Sequence, residues 1–416
     1  MPKLPNKTEC CGCAACVDTC KHGALKLLED NDGYYNIVID EAKCVDCKLC
    51  EKKCHILQAE NLRRNNPKEA QTLAGWSLDD NLIRKSATGG IFAQIAHTML
   101  QDGNTTVYGA ALMDDSSVKH IGITSTDDLY KLQNSKYQQS YSVGVYQRVL
   151  IDLKSGRRVL FSGVPCQIAS LYTFLKYKKE LIKNLFTIEV LCHGVPTNVL
   201  HRIAIRKNNA VGIRAYRNKE ENRGWIDGQN NRVSYNMPDG SVKQIQNRAE
   251  DFLFRSYLTF SFTRPCCYKC SYSNIRRVSD ITLGDFWHFQ DSPNKANYEN
   301  LMGSSIIIAN SAKGKHMVSL CQELHVVNVT WKEFLPFNQN LFMPTSKYLF
   351  KGAKYVHLIN RLPKTLQTFI YQNGFTNKKL DSFYQRLLQI VRSRSLRKKE
   401  KVINNMIIKT LELLES

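Results

Sequence analysis

The sequence predicts an α+β protein in three parts: a small cysteine-rich head, a mixed α/β body and a helical, basic tail. Three observations carry that division. Nine of the 15 cysteines fall within the first 60 residues. From residue 76 to about 345, short apolar runs of β type alternate with helical stretches; examples of the former are Val107–Leu112, Arg158–Phe161 and Leu185–Leu191. Beyond residue 345 there is no cysteine and little glycine, and Phe383, Leu387, Ile390 and Val391 recur near helical spacing. A chain of 416 residues is too long for one small core. The expected boundaries are 1–60 for the head, 61–75 for a polar linker, 76–345 for the body and 346–416 for the tail.

The head is the most specific part. Cys10, Cys13, Cys16 and Cys20 follow the spacing C-x2-C-x2-C-x3-C, and Cys44, Cys47, Cys50 and Cys54 repeat it. Three thiols three residues apart wrap one cubane cluster, while the fourth lies a turn further on and points at a neighbouring cluster. By that rule Cys10, Cys13, Cys16 and Cys54 hold one 4Fe-4S cluster, and Cys44, Cys47, Cys50 and Cys20 hold a second. Between the quartets, Asp32-Gly33 is a hairpin signal separating two β-rich runs. This is the layout of a bacterial-type two-cluster ferredoxin domain. A zinc ribbon needs only paired C-x2-C knuckles and leaves the doubled spacing unexplained. Lys21 and His55 stand where proline usually follows the fourth cysteine. Cys11 falls outside the pattern and reads as a packed small side chain.

No run of eighteen apolar residues is present, and Met1 to Lys7 lack the apolar core of a signal peptide. The expectation is a cytoplasmic protein with reduced thiols, no disulfide framework and no transmembrane segment. The net charge of +21 suits an acidic partner or anionic ligand. Its densest part is Arg392 to Lys401, where six basic residues face only Glu400. A solvated helix face explains that run, and peripheral contact with an anionic surface is its functional counterpart. No nucleic-acid-binding motif accompanies the charge, so nucleic acid is not expected as a partner.

Six further cysteines lie downstream. Cys166 follows a strand and a proline and opens the helical run QIASLYTFL, a position that favours a thiolate. Cys192 ends an apolar strand, RPCCYKC supplies Cys266, Cys267 and Cys270, and Cys321 reads as core. Strand ends in an α/β body converge on one edge, where ligand sites form. Read alone, Cys166 and Cys192 are equally buried strand-end thiols and Cys267 with Cys270 a zinc or redox pair. Ser86, Thr88, Gly89 and Gly90 open a helix with an apolar face of Ile91, Ile95 and Met99. Such a glycine-bearing helix start admits a diphosphate, with Lys85 as counter-charge.

Seven stretches in order resemble one known family: SATGGIF at 86–92, SKYQQS at 135–140, FSGVPCQIA at 161–169, LCHGVP at 191–196, GW at 224–225, CYKC at 267–270 and DITLGDFW at 280–287. The chain resembles the beta subunit family of coenzyme F-420 hydrogenase and dehydrogenase, fused to a ferredoxin head. The resemblance implies a body of two parts, 76–155 and 156–345, with FAD and a third 4Fe-4S cluster. It implies Cys166, Cys192, Cys267 and Cys270 as that cluster's ligands, with Cys266 an alternative to Cys267. It also implies that Ser86, Thr88, Gly89 and Gly90 meet the FAD diphosphate and that Lys136 and Tyr137 lie near the flavin. His193 is a proton donor or a structural residue, Asp280 and Asp285 shape a turn, and Trp225 and Trp287 are core.

The activity implied is that of an oxidoreductase. Electrons pass between a ferredoxin- or flavodoxin-like carrier, the clusters, FAD and a small organic substrate. The fused head and basic tail resemble the branch found among polysaccharide genes, which implies a sugar or related metabolite as substrate. A coenzyme F-420 hydrogenase or dehydrogenase beta subunit is one alternative, and an electron-transfer subunit without its own substrate is another.

Overall fold

A computed structural model of the 416-residue chain describes residues 1–217, 233–245, 251–258, 260, 262–287, 289, 292, 294–345, 410 and 412–414. The architecture is α+β, as expected. The basic run in the tail and the Gly-Trp pair at 224–225 lie outside the described residues.

The head consists of α1 (Ala15–Thr19), the antiparallel hairpin β1 (Leu25–Glu29) and β2 (Tyr35–Ile39), and α2 (Leu49–Lys52). The hairpin turn lies where Asp32-Gly33 signals it. Gly33 has φ +81°, and Asp30 Oδ1 accepts from the amides of Asp32 and Tyr34 at 3.0 Å each.

The body is built on an eight-stranded sheet. Its strands are β3 (Gln71–Ser77), β4 (Thr105–Leu112), β5 (Val118–Ile123), β6 (Arg158–Gly163), β7 (Leu185–Val190), β11 (Ile281–Asp285), β12 (Ser305–Ala309) and β13 (Leu324–Asn328). The spatial order is β13-β3-β12-β11-β7-β6-β4-β5. The four central strands β11, β7, β6 and β4 run parallel, and antiparallel pairings flank them on both sides. Parallel strands covered on both faces have continuous apolar runs, which is why Val159, Leu160 and Phe161 are all fully buried. Three β strands at residues 212–244, namely β8 (Gly212–Tyr216), β9 (Val233–Asn236) and β10 (Val242–Gln244), form a smaller sheet.

Helices cover the large sheet. On one side α4 (Ile91–Leu100) and α10 (Ala312–Ser319) contribute Ile91, Ile95, Met99 and Met317 to one core, which also holds Cys321. A second core gathers α5 (Val145–Lys154), α6 (Pro165–Leu175) and the short α7 (Lys179–Ile182) around Phe161 and Leu185. The small sheet packs with α8 (Asn198–Lys207) and α9 (Phe252–Leu258). Between β3 and α4 lies α3 (Asp80–Arg84), N-capped by Asp79.

The linker expected over 61–75 ends early. Gln71–Ser77 is an inner strand of the sheet, and residues 61–70 run against the body. The Asn65 amide donates to the Arg277 carbonyl at 2.8 Å, and the Arg64 guanidinium lies 5.2 Å from the Tyr272 ring. A polar composition concealed an apolar strand core, Leu73-Ala74, that pairs on both edges.

The head is docked rather than tethered. α1 packs against α5 and α6. The Asp18 carboxylate accepts from the amides of Gly144 (2.6 Å) and Tyr146 (3.0 Å), capping the start of α5 from outside its own segment. Arg264, 1% exposed, donates to the Cys10 carbonyl at 2.8 Å, to Gln139 Oε1 at 3.0 Å and to Asn36 Oδ1 at 3.2 Å. Gln139 Nε2 in turn donates to the carbonyls of Cys11 and Gly12. Replacing Asp18 with alanine orphans two amides at the interface, at a cost of about 1–3 kcal/mol. Denaturant unfolding of the full chain is expected to show that loss, together with faster proteolysis near residues 61–70.

Candidate functional site

Several of the head thiols gather in one place. Cys10, Cys13, Cys16 and Cys54 line one small cavity together with Cys11, His55, Leu4, Pro5, Ile37 and Ile56. Burial pushes the Cys16 thiol well up, and Cys13, Cys10 and Cys54 push it further. Cys54 is held up at about 11, chiefly by burial, with Cys13 and Cys10 adding to it. Thiolates crowded in this way repel one another until a cationic cluster binds them. Of the other four, Cys50 is buried in the apolar cluster that Cys20 borders, Cys44 is half-buried and Cys47 is exposed.

The body thiols form a second gathering. Cys166 lies in the first turn of α6, Cys192 two residues past β7, and Cys267 and Cys270 in and just after the short turn Pro265–Lys269. Burial raises Cys192 to about 12, and Cys270 and Cys266 raise it too. Cys267 feels Cys266, Cys192 and Cys270. The helix start does not give Cys166 the low pKa expected from sequence. A hydrogen bond from Cys11 lowers it, but burial and the thiols of Cys192, Cys270 and Cys267 outweigh that and hold it at about 11. Cys266 differs. The Cys267 thiol and the Arg264 guanidinium bring it down to about 7, against burial.

Cys11 lies between the two gatherings. Its thiol is a hydrogen-bond neighbour of Cys13 in the head and of Cys166 in the body. His55 Nε2 approaches Cys11 Sγ at 3.2 Å, and His55 Nδ1 meets the Tyr272 hydroxyl at 2.5 Å. Burial lowers His55 to about 4, so the ring is neutral. The thiol that looked like packing from its sequence position is thus one of the contacts between head and body. The Tyr146 hydroxyl, buried and without a hydrogen-bond partner among the described residues, lies close to Cys13, Cys11 and Cys166. An orphan donor of this kind suits the sulfide or thiolate sulfurs of a cluster.

Beneath the body thiols is a buried ion pair. Arg277 Nε donates to Glu189 Oε1, with the two side chains 2% and 0% exposed. Thr282 Oγ1 also donates to Glu189, at 2.9 Å, and Arg277 Nη1 donates to the Tyr272 carbonyl at 2.7 Å. Asp280 is structural. It accepts from Thr187 N and Oγ1 and from Ser311 Oγ, tying β7, β11 and α10 together.

A cavity of about 550 Å³ opens at the C-terminal ends of β6, β7 and β11, the edge at which α/β sheets bind ligands. Cys11, Cys13, Cys166 and Cys192 line it on one side, and Ser86, Thr88 and Gly90 on another. Lys136, Tyr137 and His193 line it as well. The loop before α4 is pinned against the sheet. A Cβ on Gly89 would fall 2.6 Å from the Gly75 carbonyl oxygen, so only glycine fits there. Gly90, at φ +75°, is the N-cap of α4 and supplies no side-chain cap, leaving the first amides of the helix uncapped.

The expected diphosphate contacts are partly redirected. Ser86 Oγ donates to the Leu82 carbonyl, Gly89 N donates to Ser305 Oγ, and Thr88 Oγ1 donates to Asp285 Oδ1 at 3.0 Å. Lys85 is exposed at the end of α3 and does not line the cavity. The buried cation is instead Arg217, 4% exposed, whose Nη1 donates to Asp285 Oδ2 at 2.8 Å. Nothing in sequence marked this one arginine among 58 basic residues. Tyr137 packs edge-on against Tyr216, Phe254 and Tyr257, with centroids 5.9, 4.9 and 4.8 Å away. Lys136 Nζ donates to the Gln133 carbonyl at 2.6 Å, and desolvation lowers its pKa to about 7.

Residues 156–332 match the family described as the C-terminal part of the coenzyme F420 hydrogenase/dehydrogenase beta subunit. None of the curated proteins compared matches the chain. A chain of the F420-reducing NiFe hydrogenase complex from Methanosarcina barkeri, solved as a xenon derivative, is 14% identical. That likeness covers 73% of this chain and 95% of that one, with a TM-score of 0.45. No helix among the described residues is long and apolar enough to cross a membrane.

Replacing Arg277 with methionine strands the Glu189 carboxylate in the core and is expected to cost about 3–5 kcal/mol in denaturant unfolding. Lys136 is protonated below about 7 and neutral above it. Anions in the cavity are therefore expected to bind more weakly as pH rises through that value. Lys136→Met should flatten the dependence, and titrations of pyrophosphate across that range check it.

Proposed function

We propose that the chain, whose residues 156–332 match the family of coenzyme F420 hydrogenase/dehydrogenase beta subunits, is an iron–sulfur flavoprotein oxidoreductase relaying electrons between an external carrier and a small organic substrate. The observation that carries this reading is the Cys11 thiol, in contact with Cys13 of the head and Cys166 of the body. Iron–sulfur clusters pass electrons singly, and FAD exchanges them singly or as hydride, so the two together interconvert the two kinds of chemistry.

The chain's own residues supply the rest. Cys10, Cys13, Cys16 and Cys54 hold one head cluster, and Cys20, Cys44, Cys47 and Cys50 the other. Cys166, Cys192, Cys267 and Cys270 hold the third. Cys11 closes the gap between the first and the third sets. The uncapped start of α4, framed by Ser86, Thr88, Gly89 and Gly90, faces the FAD diphosphate, and Lys136 and Tyr137 flank the same ligand. Cys166 and Cys192 line the cavity that takes the flavin, so the third set and the flavin adjoin. The basic surface attracts an acidic ferredoxin- or flavodoxin-like carrier. A sugar of polysaccharide synthesis is the substrate proposed with this reading, on the strength of the fused head and basic tail.

Chain purified without oxygen is expected to carry about twelve iron atoms, as three clusters, and one FAD. Cys192→Ala should lower the iron to about eight while the head spectrum persists. Eight iron atoms in the unaltered chain, with no flavin, contradict the body half of the reading. Cys11→Ala should leave iron unchanged and slow reduction of the inner cluster after a pulse of reductant. A loss of about four iron atoms in that variant would instead make Cys11 a ligand.

A further inference from the structure

We infer that Arg217 is an oxyanion anchor: one edge of its guanidinium takes a phosphate or carboxylate group of a ligand bound in the 550 Å³ cavity. Arg217 lines that cavity and is 4% exposed. Asp285 occupies only Nη1. Nε and Nη2 make no close hydrogen bond among the described residues; the Tyr137 side chain is the neighbour that the guanidinium meets on the cavity side. Those two nitrogens present their N–H bonds in parallel along one side of the guanidinium. This is the fork that matches two oxygens of a carboxylate or phosphate. Buried donors are nearly always satisfied, and an orphaned pair facing a cavity marks a ligand.

Three neighbours fix the chemistry. Asp285 bridges Arg217 to Thr88, so the anchor is held at a set distance from the start of α4. Asp285 offsets the charge of Arg217, while the helix dipole of α4, uncapped at Gly90, adds positive potential to the same cavity. Tyr137, Phe254, Tyr257 and Phe260 form an aromatic wall that lines it too. The ligand class is therefore a ring-bearing or otherwise partly apolar molecule with an oxyanion at one end. Two sources fit: the diphosphate of FAD, and the anionic group of the organic substrate. The anchor rests on the proposal that this cavity binds the redox ligands, but it does not require the flavin.

The test is calorimetric titration of the full chain, purified without oxygen, in three forms: unaltered, Arg217→Met and Arg217→Lys. The probes are FAD, riboflavin, inorganic pyrophosphate and oxalate. An anion-bearing probe is expected to bind at least about tenfold more weakly to Arg217→Met, the scale of a lost charge-assisted pair. Arg217→Lys, which keeps the charge but not the fork, should fall between, and it serves if the methionine variant does not fold. If FAD weakens while riboflavin holds, the oxyanion is the cofactor's diphosphate. If FAD is unaffected but pyrophosphate or oxalate binding to the FAD-loaded chain is lost, the oxyanion is the substrate's. Equal binding of every probe by all three forms, or binding of none by the unaltered chain, overturns the anchor. An unaltered chain that takes pyrophosphate through Arg217 but no flavin keeps the anchor and overturns the flavin. FAD binding indifferent to Arg217, with no anion effect, does the reverse.

Discussion

The arrangement depends on the docking of the head onto the body through buried polar contacts. Asp18 caps α5, Arg264 grips the Cys10 carbonyl, and Gln139 grips the carbonyls of Cys11 and Gly12. These contacts hold the backbone of the first cysteine loop itself. Hydrogen bonds to charged groups are stronger than neutral ones and are costly to leave unmade once buried. The loop therefore has little freedom to drift from α6, and Cys11 stays in contact with Cys13 and Cys166. A flexible linker would have left that spacing to chance. The inner strand β3, which begins at Gln71, anchors the chain within the sheet soon after the head.

Head and body place opposing demands on their thiols. Burial drives the thiols of Cys16, Cys54 and Cys192 up, and their neighbours drive them further. Only bound positive charge makes such a set favourable as thiolates. The fixed cations nearby, Arg264 and Arg277, are each held by buried acceptors. Beside the body thiols, the ends of β6, β7 and β11 and the start of α4 leave a cavity lined by Arg217, whose Nε and Nη2 make no close hydrogen bond among the described residues. The gathered thiols and the Arg217 guanidinium thus share one wall of the sheet edge.

Much of this was legible in the sequence because it rests on local rules. The cysteine spacing places Cys10, Cys13 and Cys16 in one loop, and they line a cavity with Cys54, Cys11 and His55. The glycines before Ile91 predict the start of α4, and Asp32-Gly33 predicts the hairpin. What was hidden depends on contacts between distant segments. Cys11 gains its position from the meeting of α1 with α6, which no spacing encodes. Lys85 looked like the counter-charge because it adjoins the loop in sequence, yet α3 turns it outward and Arg217, over a hundred residues later, takes the inner place. Ser86 and Thr88 looked free to meet a phosphate, but the Leu82 carbonyl and Asp285 claim their hydroxyls. The strand at Gln71–Ser77 was masked by its polar flank.

The central claim is that a third iron–sulfur centre, held by the body thiols, stands between the head and the cavity. Anomalous diffraction at the iron edge, from crystals grown without oxygen, tests it most directly. The account predicts three compact iron peaks, the third bounded by Cys166, Cys192, Cys267 and Cys270 and separated from the first by Cys11. Two peaks confined to the head, or zinc at the body thiols, would contradict it.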